Sequence, residues 1–89
     1  MRRYGRRDGN HAAIVNGLRH AGCSVADLAD LGDNRPDLLV ARNRRSVLME
    51  VKDGKGKLTQ AQAAWHNSWK GEVYVVRSLD EALLVMGIK

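Results

Sequence analysis

The stretch 36–52, PDLLVARNRRSVLMEVK, decides the fold of this chain, because it holds two short apolar runs on either side of a polar turn. Such a pattern is typical of a β-hairpin. With Asn43 and Arg44 at the tip, Val40 faces Val47 across the two strands. Asparagine suits the positive φ of a tight hairpin turn, whereas the arginine after it is less well suited. Both strands are apolar on both faces, as expected for a sheet that is covered on both sides.

The same register brings charged residues together. Glu50 and Lys52 are separated by one residue and therefore point to the same face of their strand. Residues directly opposite in an antiparallel pair have Cβ atoms about 4.5–5.5 Å apart, so we expect Asp37 to project beside Glu50. Charged side chains are rarely buried unless they are paired or bound to an ion. The group is therefore either a structural ion pair, in which Lys52 bridges the two acids, or a functional site.

The chemistry of two neighbouring carboxylates favours a cation between them, since otherwise one of them takes up a proton. Mg²⁺ typically binds one or two carboxylates, keeps several waters and completes its shell with phosphate oxygens. Such an ion activates water and neutralises charge that develops on a phosphodiester, and Lys52 would steady that charge or orient the water. A Gly-Asp-Asn-Arg-Pro loop precedes Asp37 and a basic glycine loop follows Lys52. This context favours the site over the ion pair.

The first third of the chain contains one clear helix. Over residues 9–20, side chains recur at the spacing of an amphipathic helix, namely those of His11, Ile14, Val15 and Leu18. The stretch 21–36 is irregular, with room for a short strand near residues 23–26 and a loop over residues 32–36.

The last third predicts helix, strand and helix. Thr59 with Gln62 is a capping-box pattern, and the helix that follows is expected to stop at Gly71. Its predicted packing face consists of Ala61, Ala64, Trp65, Ser68 and Trp69. The run EVYVVR supplies a strand, and Ser78 with Glu81 is a second capping-box pattern, opening a helix that stops at Gly87. The order of elements predicts a mixed sheet between helices, of the α/β or α+β class.

Length and composition indicate one small domain. The chain has 89 residues, of which 44% are hydrophobic, so it can form a core, although its stability is expected to be marginal. Domains of this size often gain stability by oligomerising. No segment approaches the roughly 20 apolar residues that span a bilayer, and the N-terminus lacks the apolar run of a signal peptide. A lone cysteine, Cys23, fits a reducing cytoplasm.

The charge is basic, with 15 Lys and Arg against 10 Asp and Glu, or +5 in total. Basic clusters favour polyanions through counterion release, but a solvated surface with a basic bias is an equally good explanation. The chain has no Phe, two Tyr and two Trp, which argues against an aromatic platform for single strands. We expect Trp65 and Trp69 in the core or at a subunit contact, and His20 and His66 on the surface.

The residues from Pro36 to Gln62 resemble the nuclease signature of the PD-(D/E)XK superfamily, with Pro36-Asp37 and Glu50-Val51-Lys52 as its motif. The following Leu58-Thr59 and Gln62 are similar to the VRR-NUC branch, the virus-type replication-repair nucleases. The likeness extends from the first helix to the run VVRS. It implies a restriction-endonuclease-like core (αβββαβ), a mixed central sheet flanked by helices, Mg²⁺ or Mn²⁺ as cofactor, and cleavage of phosphodiester bonds in DNA.

The resemblance also implies roles for single residues. Asp37 and Glu50 would bind the metal, with the Val51 carbonyl as a further ligand. Lys52 would be the catalytic base partner, and Gln62 would help to position it or the water, although Gln62 also has a role as a helix cap.

The chain departs from the family at the first helix, where related nucleases often carry an acidic residue that joins the metal site. Here the helix begins with Asn10, His11, Ala12 and Ala13. His11 shares a face with the apolar residues of that helix and so points inward. It is either an outer-shell metal ligand or proton carrier, or a hydrogen-bonded histidine at a helix start.

These features together predict a basic N-terminal arm over residues 1–8 and one VRR-NUC domain over residues 9–89. We expect a cytoplasmic, metal-dependent DNA endonuclease that forms a homodimer, since two symmetry-related sites suit paired cuts in branched DNA such as a Holliday junction. The alternative is a non-catalytic module of the same fold that binds DNA or a replication partner. Basic residues expected to contact phosphates are Arg2, Arg3, Arg6, Arg7, Arg44, Arg45, Lys55 and Lys57.

Overall fold

The computed structural model describes residues 9–88, so the predicted arm over residues 1–8, with its four arginines, lies outside the described residues. In the described part, three α-helices and four β-strands follow one another, with a short 3-10 helix (Ala29–Leu31) after the first strand. They are α1 (His11–His20), β1 (Ser24–Asp27), β2 (Leu38–Arg42), β3 (Arg45–Val51), α2 (Gln60–Ser68), β4 (Val73–Val76) and α3 (Leu79–Val85). The prediction of a small α/β domain with a mixed sheet is confirmed.

The four strands form one sheet in the order β1-β2-β3-β4, in which the first three are antiparallel and β4 runs parallel to β3. The predicted hairpin register is confirmed, because Val40 is paired with Val47. Asn43 (φ 53°) and Arg44 (φ 67°) both adopt left-handed backbone conformations. That is the two-residue turn whose twist matches the flanking strands.

One face of the sheet packs against α1 and α3 and carries the apolar core. Alternation along β3 points Val47, Met49 and Val51 to this face, where they are almost fully buried. The predicted inward face of α1 is also confirmed, since its buried residues are His11, Ile14, Val15 and Leu18. The two helices approach closely at Gly17, where a Cβ would lie 2.4 Å from the Leu79 side chain. A larger residue there would force the Leu79 side chain to move.

The other face of the sheet carries Leu39, Leu48 and Glu50, and α2 lies over it. The capping box of α2 is confirmed: Thr59 Oγ1 accepts from the Gln62 backbone N–H (3.1 Å), and Gln62 Oε1 accepts from the Thr59 backbone N–H (3.0 Å).

The predicted packing face of α2 is wrong in part. Ala61 and Ala64 are exposed, no residue of the helix is fully buried, and the side chains turned toward the sheet are Gln62, Trp65, His66 and Trp69. The helix also ends at Ser68, earlier than predicted, because the Trp69 backbone is already extended (φ −75°, ψ 129°).

The last helix follows the predicted limits but not the full capping pattern. Ser78 Oγ accepts from the Glu81 backbone N–H (3.1 Å), whereas the Glu81 carboxylate accepts from the backbone N–H of Arg77 (2.6 Å) and not from that of Ser78. Gly87, at φ 78°, ends the helix as predicted. No helix within residues 9–88 is long and apolar enough to cross a bilayer.

Candidate functional site

The site is built around Glu50, a carboxylate only 2% exposed on the sheet face beneath α2. Lys52 lies on the same face, as predicted, and its Nζ is 3.9 Å from Glu50 Oε2. The Lys52 backbone is fixed on both sides, because its N–H donates to the Val76 carbonyl (3.0 Å) and its carbonyl accepts from Asn10 Nδ2 (3.3 Å). The strand therefore holds a buried acid and a nearly buried base in a fixed relation.

Asp37 meets β3 at the residue that follows Glu50. Its Oδ2 accepts a hydrogen bond from the Val51 backbone N–H (2.8 Å), and its own carbonyl accepts from the Leu28 N–H (2.6 Å). No hydrogen-bond donor within residues 9–88 is found for Asp37 Oδ1. Leu38 is paired with Met49. Continuing the same antiparallel register by one residue places Asp37 opposite Glu50. The two acids thus come together at the same end of the hairpin.

Gln62 connects α2 to this end of the sheet and combines two roles. Its side-chain oxygen caps the helix at Thr59, while its Nε2 donates to Glu50 Oε2 at 3.4 Å. The capping box thereby orients the amide so that its nitrogen points at the buried carboxylate. The predicted roles as helix cap and as site residue therefore coexist.

His66 is a site residue that the sequence analysis missed. Its side chain is only 10% exposed, so its predicted place on the surface is wrong, and its Nε2 lies 3.9 Å from Glu50 Oε1. Burial, together with the nearby Lys52 ammonium, lowers the pKa of His66. Its spacing of four residues from Gln62 was the available signal, because residues i and i+4 share a helix face. His20, in contrast, is exposed as predicted.

His11 lies on the core side of the sheet, away from Glu50. It is 4% exposed, and its Nε2 is 3.0 Å from Asp27 Oδ2. This contact favours a hydrogen-bonded histidine at a helix start over an outer-shell metal ligand. The residue at the start of α1 that does reach the site region is its N-cap, Asn10, whose Nδ2 donates to the carbonyls of Lys52 (3.3 Å) and Arg77 (2.8 Å).

The predicted phosphate contacts are divided between the two ends of β3. Lys55 and Lys57 are exposed on the loop that follows Lys52. Arg77 fixes this loop, because its Nη1 donates to the carbonyls of Gly54 (3.1 Å) and Gly56 (2.6 Å). The two lysines therefore sit on a held loop that leads directly from the site.

Arg44 and Arg45 lie at the other end. Arg44 is exposed at the hairpin tip, six residues before Glu50 and hence about 20 Å away along the strand. Arg45 already has protein partners: its guanidinium binds the Glu72 carboxylate (2.6 and 3.0 Å) and the Val85 carbonyl (2.5 Å). Arg45 therefore joins β3 to the residue before β4 and to the end of α3, which competes with a phosphate contact.

The oxygen donors at the site are few. No group of three or more His, Cys, Asp or Glu side chains is arranged to hold a metal ion within residues 9–88. Asp37 and Glu50 supply carboxylate oxygens, and the Val51 carbonyl is a third oxygen donor. This carbonyl points toward β2, because the Val51 N–H binds Asp37 on that side and the N–H and C=O of one strand residue point the same way. Two carboxylates and one carbonyl suit a hard cation that takes the rest of its shell from water and phosphate.

No family model, curated protein or solved structure matches the chain. The likeness to VRR-NUC nucleases therefore stays a prediction from the motif residues. The assignment of a function rests on the geometry of the site.

Proposed function

We propose that the chain is a metal-dependent DNA endonuclease of the VRR-NUC branch, with a restriction-endonuclease-like core. The observation that carries the proposal is the buried Glu50 carboxylate, approached by Lys52 directly after β3 and by Gln62 and His66 from α2. Asp37 is fixed by the backbone N–H of the residue after Glu50. Burying a charge is energetically costly, so a buried carboxylate is expected to be paired with another group or bound to an ion. The element order of helix, three strands, helix and strand supports the same family.

The donor set fits Mg²⁺ or Mn²⁺. Asp37, Glu50 and the Val51 carbonyl would hold the ion, leaving further positions for water and a phosphate oxygen. When bound, the ion supplies charge neutralisation at the phosphodiester and a water of lowered pKa.

The residues of the chain contribute position and charge. The Val51 N–H holds the Asp37 carboxylate in one orientation, so little freedom is lost when that group acts. Lys52 brings an ammonium next to Glu50, where it would orient the attacking water or steady negative charge on the phosphate. Gln62, itself held by the cap at Thr59, keeps Glu50 in place from the other side.

Two alternatives, a structural ion pair and a non-catalytic DNA-binding module, are compatible with the same contacts but predict different results. Lys52 and Gln62 lie close enough to Glu50 to stabilise it as a structural ion pair without any metal. That arrangement predicts no binding of divalent ions in calorimetry. A DNA-binding module of the same fold predicts DNA binding without cleavage by the wild-type protein, even with Mn²⁺.

The test is the substitution Glu50→Gln, assayed for Mg²⁺- and Mn²⁺-dependent cleavage of DNA. We expect cleavage to fall by at least about 100-fold, the scale of losing one group that stabilises a transition state, while DNA affinity is retained. The matched control is Glu72→Gln, which removes a carboxylate from the Arg45 ion pair, away from the site, and should leave cleavage unchanged. Equal cleavage by Glu50→Gln and wild type would exclude this site.

The same assay addresses the substrate. The expected homodimer and the preference for branched DNA rest on the small size of the domain and on symmetry. Wild-type cleavage of a four-way junction, a flap and a linear duplex should therefore differ, and equal rates would exclude a preference for junctions. Sedimentation of the protein over a range of concentrations measures its oligomeric state.

A further inference from the structure

A cleft of about 360 Å³ opens beside the site, on the sheet face that α2 covers in part. Leu48 contributes from the sheet and is almost buried. The cleft is lined by Leu28, Arg35, Pro36, Leu48, Trp65 and Trp69. It is thus apolar, with two aromatic rings and one cationic side chain among its lining groups.

The two tryptophans form a stacked pair with one exposed member. Their ring centroids are 4.9 Å apart and their planes differ by 17°. Trp69 is nevertheless 46% exposed, which is a large fraction for an aromatic side chain beside a sheet. Gly71 allows this position, because a Cβ there would lie 2.9 Å from Trp69 Nε1. The chain therefore holds a flat indole where solvent, or another flat group, can reach it.

Three residues that line the cleft are close in sequence to residues of the proposed active site. Leu48 and Glu50 lie two residues apart on one face of β3, a separation of about 7 Å. Pro36 directly precedes Asp37, and Trp65 directly precedes His66. A nucleotide next to a phosphate held at Asp37 and Glu50 would reach the cleft with its base.

We propose that this cleft binds one unpaired nucleobase of the DNA strand being cut, stacked on Trp69, with Arg35 beside its phosphate. The inference rests on the proposed nuclease function and narrows its substrate to DNA with an unpaired nucleotide next to the cut. A base inside a duplex has both faces covered by its neighbours, whereas an unpaired base can stack on an aromatic side chain. The sequence predicted no such platform, but a single exposed indole beside the site is sufficient for one base.

Charge favours a nucleotide over a second protein chain. Arg35 makes an ion pair with Asp33 at 3.0 Å, but both side chains are exposed, and such pairs contribute little, so a phosphate can replace the carboxylate. The chain carries +5 overall, which favours a polyanion.

The experiment uses the fluorescence of the two tryptophans, both of which line the cleft. Wild-type protein in EDTA, where metal-dependent cleavage is prevented, is titrated with octathymidylate and, separately, with a fully paired, blunt-ended linear duplex. We expect octathymidylate to quench the fluorescence. Trp69→Ala should weaken binding of octathymidylate, measured by anisotropy of a labelled oligonucleotide, by roughly 5- to 150-fold, the range for one base stacked on one aromatic ring. The effect of Trp69→Ala on binding of the linear duplex should be smaller.

Two further variants keep the test decisive. Leu84→Ala also removes an exposed apolar side chain (69% exposed), but from α3 on the other side of the sheet, and should leave octathymidylate binding unchanged. Trp69→Phe retains a ring and should bind between wild type and Trp69→Ala. Absence of quenching, or equal binding by Trp69→Ala and Leu84→Ala, would overturn the proposal. So would a Trp69→Ala variant that loses self-association but still binds octathymidylate normally, since the cleft would then be a subunit contact.

The outcome is separable from that of the proposed function. In one outcome, octathymidylate quenches the wild-type fluorescence, Trp69→Ala abolishes the quenching, and the wild-type protein cuts no DNA with Mg²⁺ or Mn²⁺. That outcome would support the base-binding cleft and overturn the nuclease function. Metal-dependent cleavage without quenching would support the nuclease and overturn the cleft.

Discussion

His66 shows how burial and a neighbouring cation alter the protonation of a side chain at the site. Lys52 already places one cation within 3.9 Å of the Glu50 carboxylate. A protonated His66 would add a second cation at 3.9 Å from the other carboxylate oxygen, in a place with little water to solvate it. Burial first, and the Lys52 charge second, therefore lower the pKa of His66 below 6.5. Folding therefore favours the neutral imidazole of His66.

This shift makes a prediction about stability and pH. In the unfolded chain His66 takes up a proton near pH 6.5, whereas in the folded chain it does so only at lower pH. The unfolded state therefore binds more protons in that interval, and stability falls as the pH drops from about 6.5 through the folded pKa. Urea unfolding at pH 7.5 and pH 5.5 should show this loss, and His66→Gln should reduce it.

The matched control for this prediction is His20→Gln, because His20 is exposed at the end of α1. Its substitution should leave the difference between pH 7.5 and pH 5.5 unchanged. Glu72 contributes nothing in this interval, since Arg45 and Tyr74 hold its pKa at about 2. Equal pH dependence in His66→Gln and wild type would contradict the argument.

The α2 helix is held by its first turn more than by an apolar face. None of its residues is fully buried, so the usual stabilisation of a helix by packing is small here. The capping box at Thr59 and Gln62 satisfies backbone groups at its start. It also positions Gln62, which in turn contacts Glu50. A local capping interaction thereby contributes to the geometry of the site.

Substitution of Thr59 by Ala tests this link between capping and catalysis. We expect a loss of about 1 kcal/mol in the free energy of unfolding, as for other N-cap residues, together with slower DNA cleavage, because Gln62 and His66 lie on the loosened helix. Ser78→Ala is the matched control, since Ser78 caps α3 through the same kind of bond. It should cost similar stability without slowing cleavage. Equal cleavage rates in both variants would show that the first turn of α2 does not position the site.

Elements defined by local signals could be predicted from the sequence, and those defined by distant contacts could not. The turn at Asn43 and Arg44 determines the hairpin register, and from it follows the meeting of Asp37, Glu50 and Lys52. The inward face of α2 was mispredicted in part, because alanine suggests an apolar contact but Ala61 and Ala64 are exposed. Gln62 and His66 turn inward beside the tryptophans, since a buried acid faces them. The limits of β1 depend on pairing with β2, which its own four residues do not indicate.

In the whole molecule, the apolar core and the proposed active site lie on opposite faces of the sheet. Its core face, with α1 and α3, holds most of the buried apolar residues. Its other face, only partly covered by α2, carries the buried acid, the cleft and the exposed indole. A small domain can bury only part of its surface. Concentrating the packing on one face leaves the other free for polar groups. The alternation of residues along β3 creates this division, whereas the apolar residues on both faces of the hairpin had predicted a sheet covered on both sides.

The predicted phosphate contacts lie at the two ends of β3, and only those on one loop are near the site. Lys55 and Lys57 lie on a loop that Arg77 fixes next to the site. If they contact phosphates there, each Lys→Ala substitution should weaken DNA binding and reduce the slope of log K against log salt by about 0.9. Arg19→Ala is the control, because it removes one positive charge from α1 on the other side of the sheet and should leave the slope unchanged. Fluorescence anisotropy between 50 and 200 mM NaCl measures both quantities. Equal slopes for the lysine variants and wild type would place the DNA on another surface.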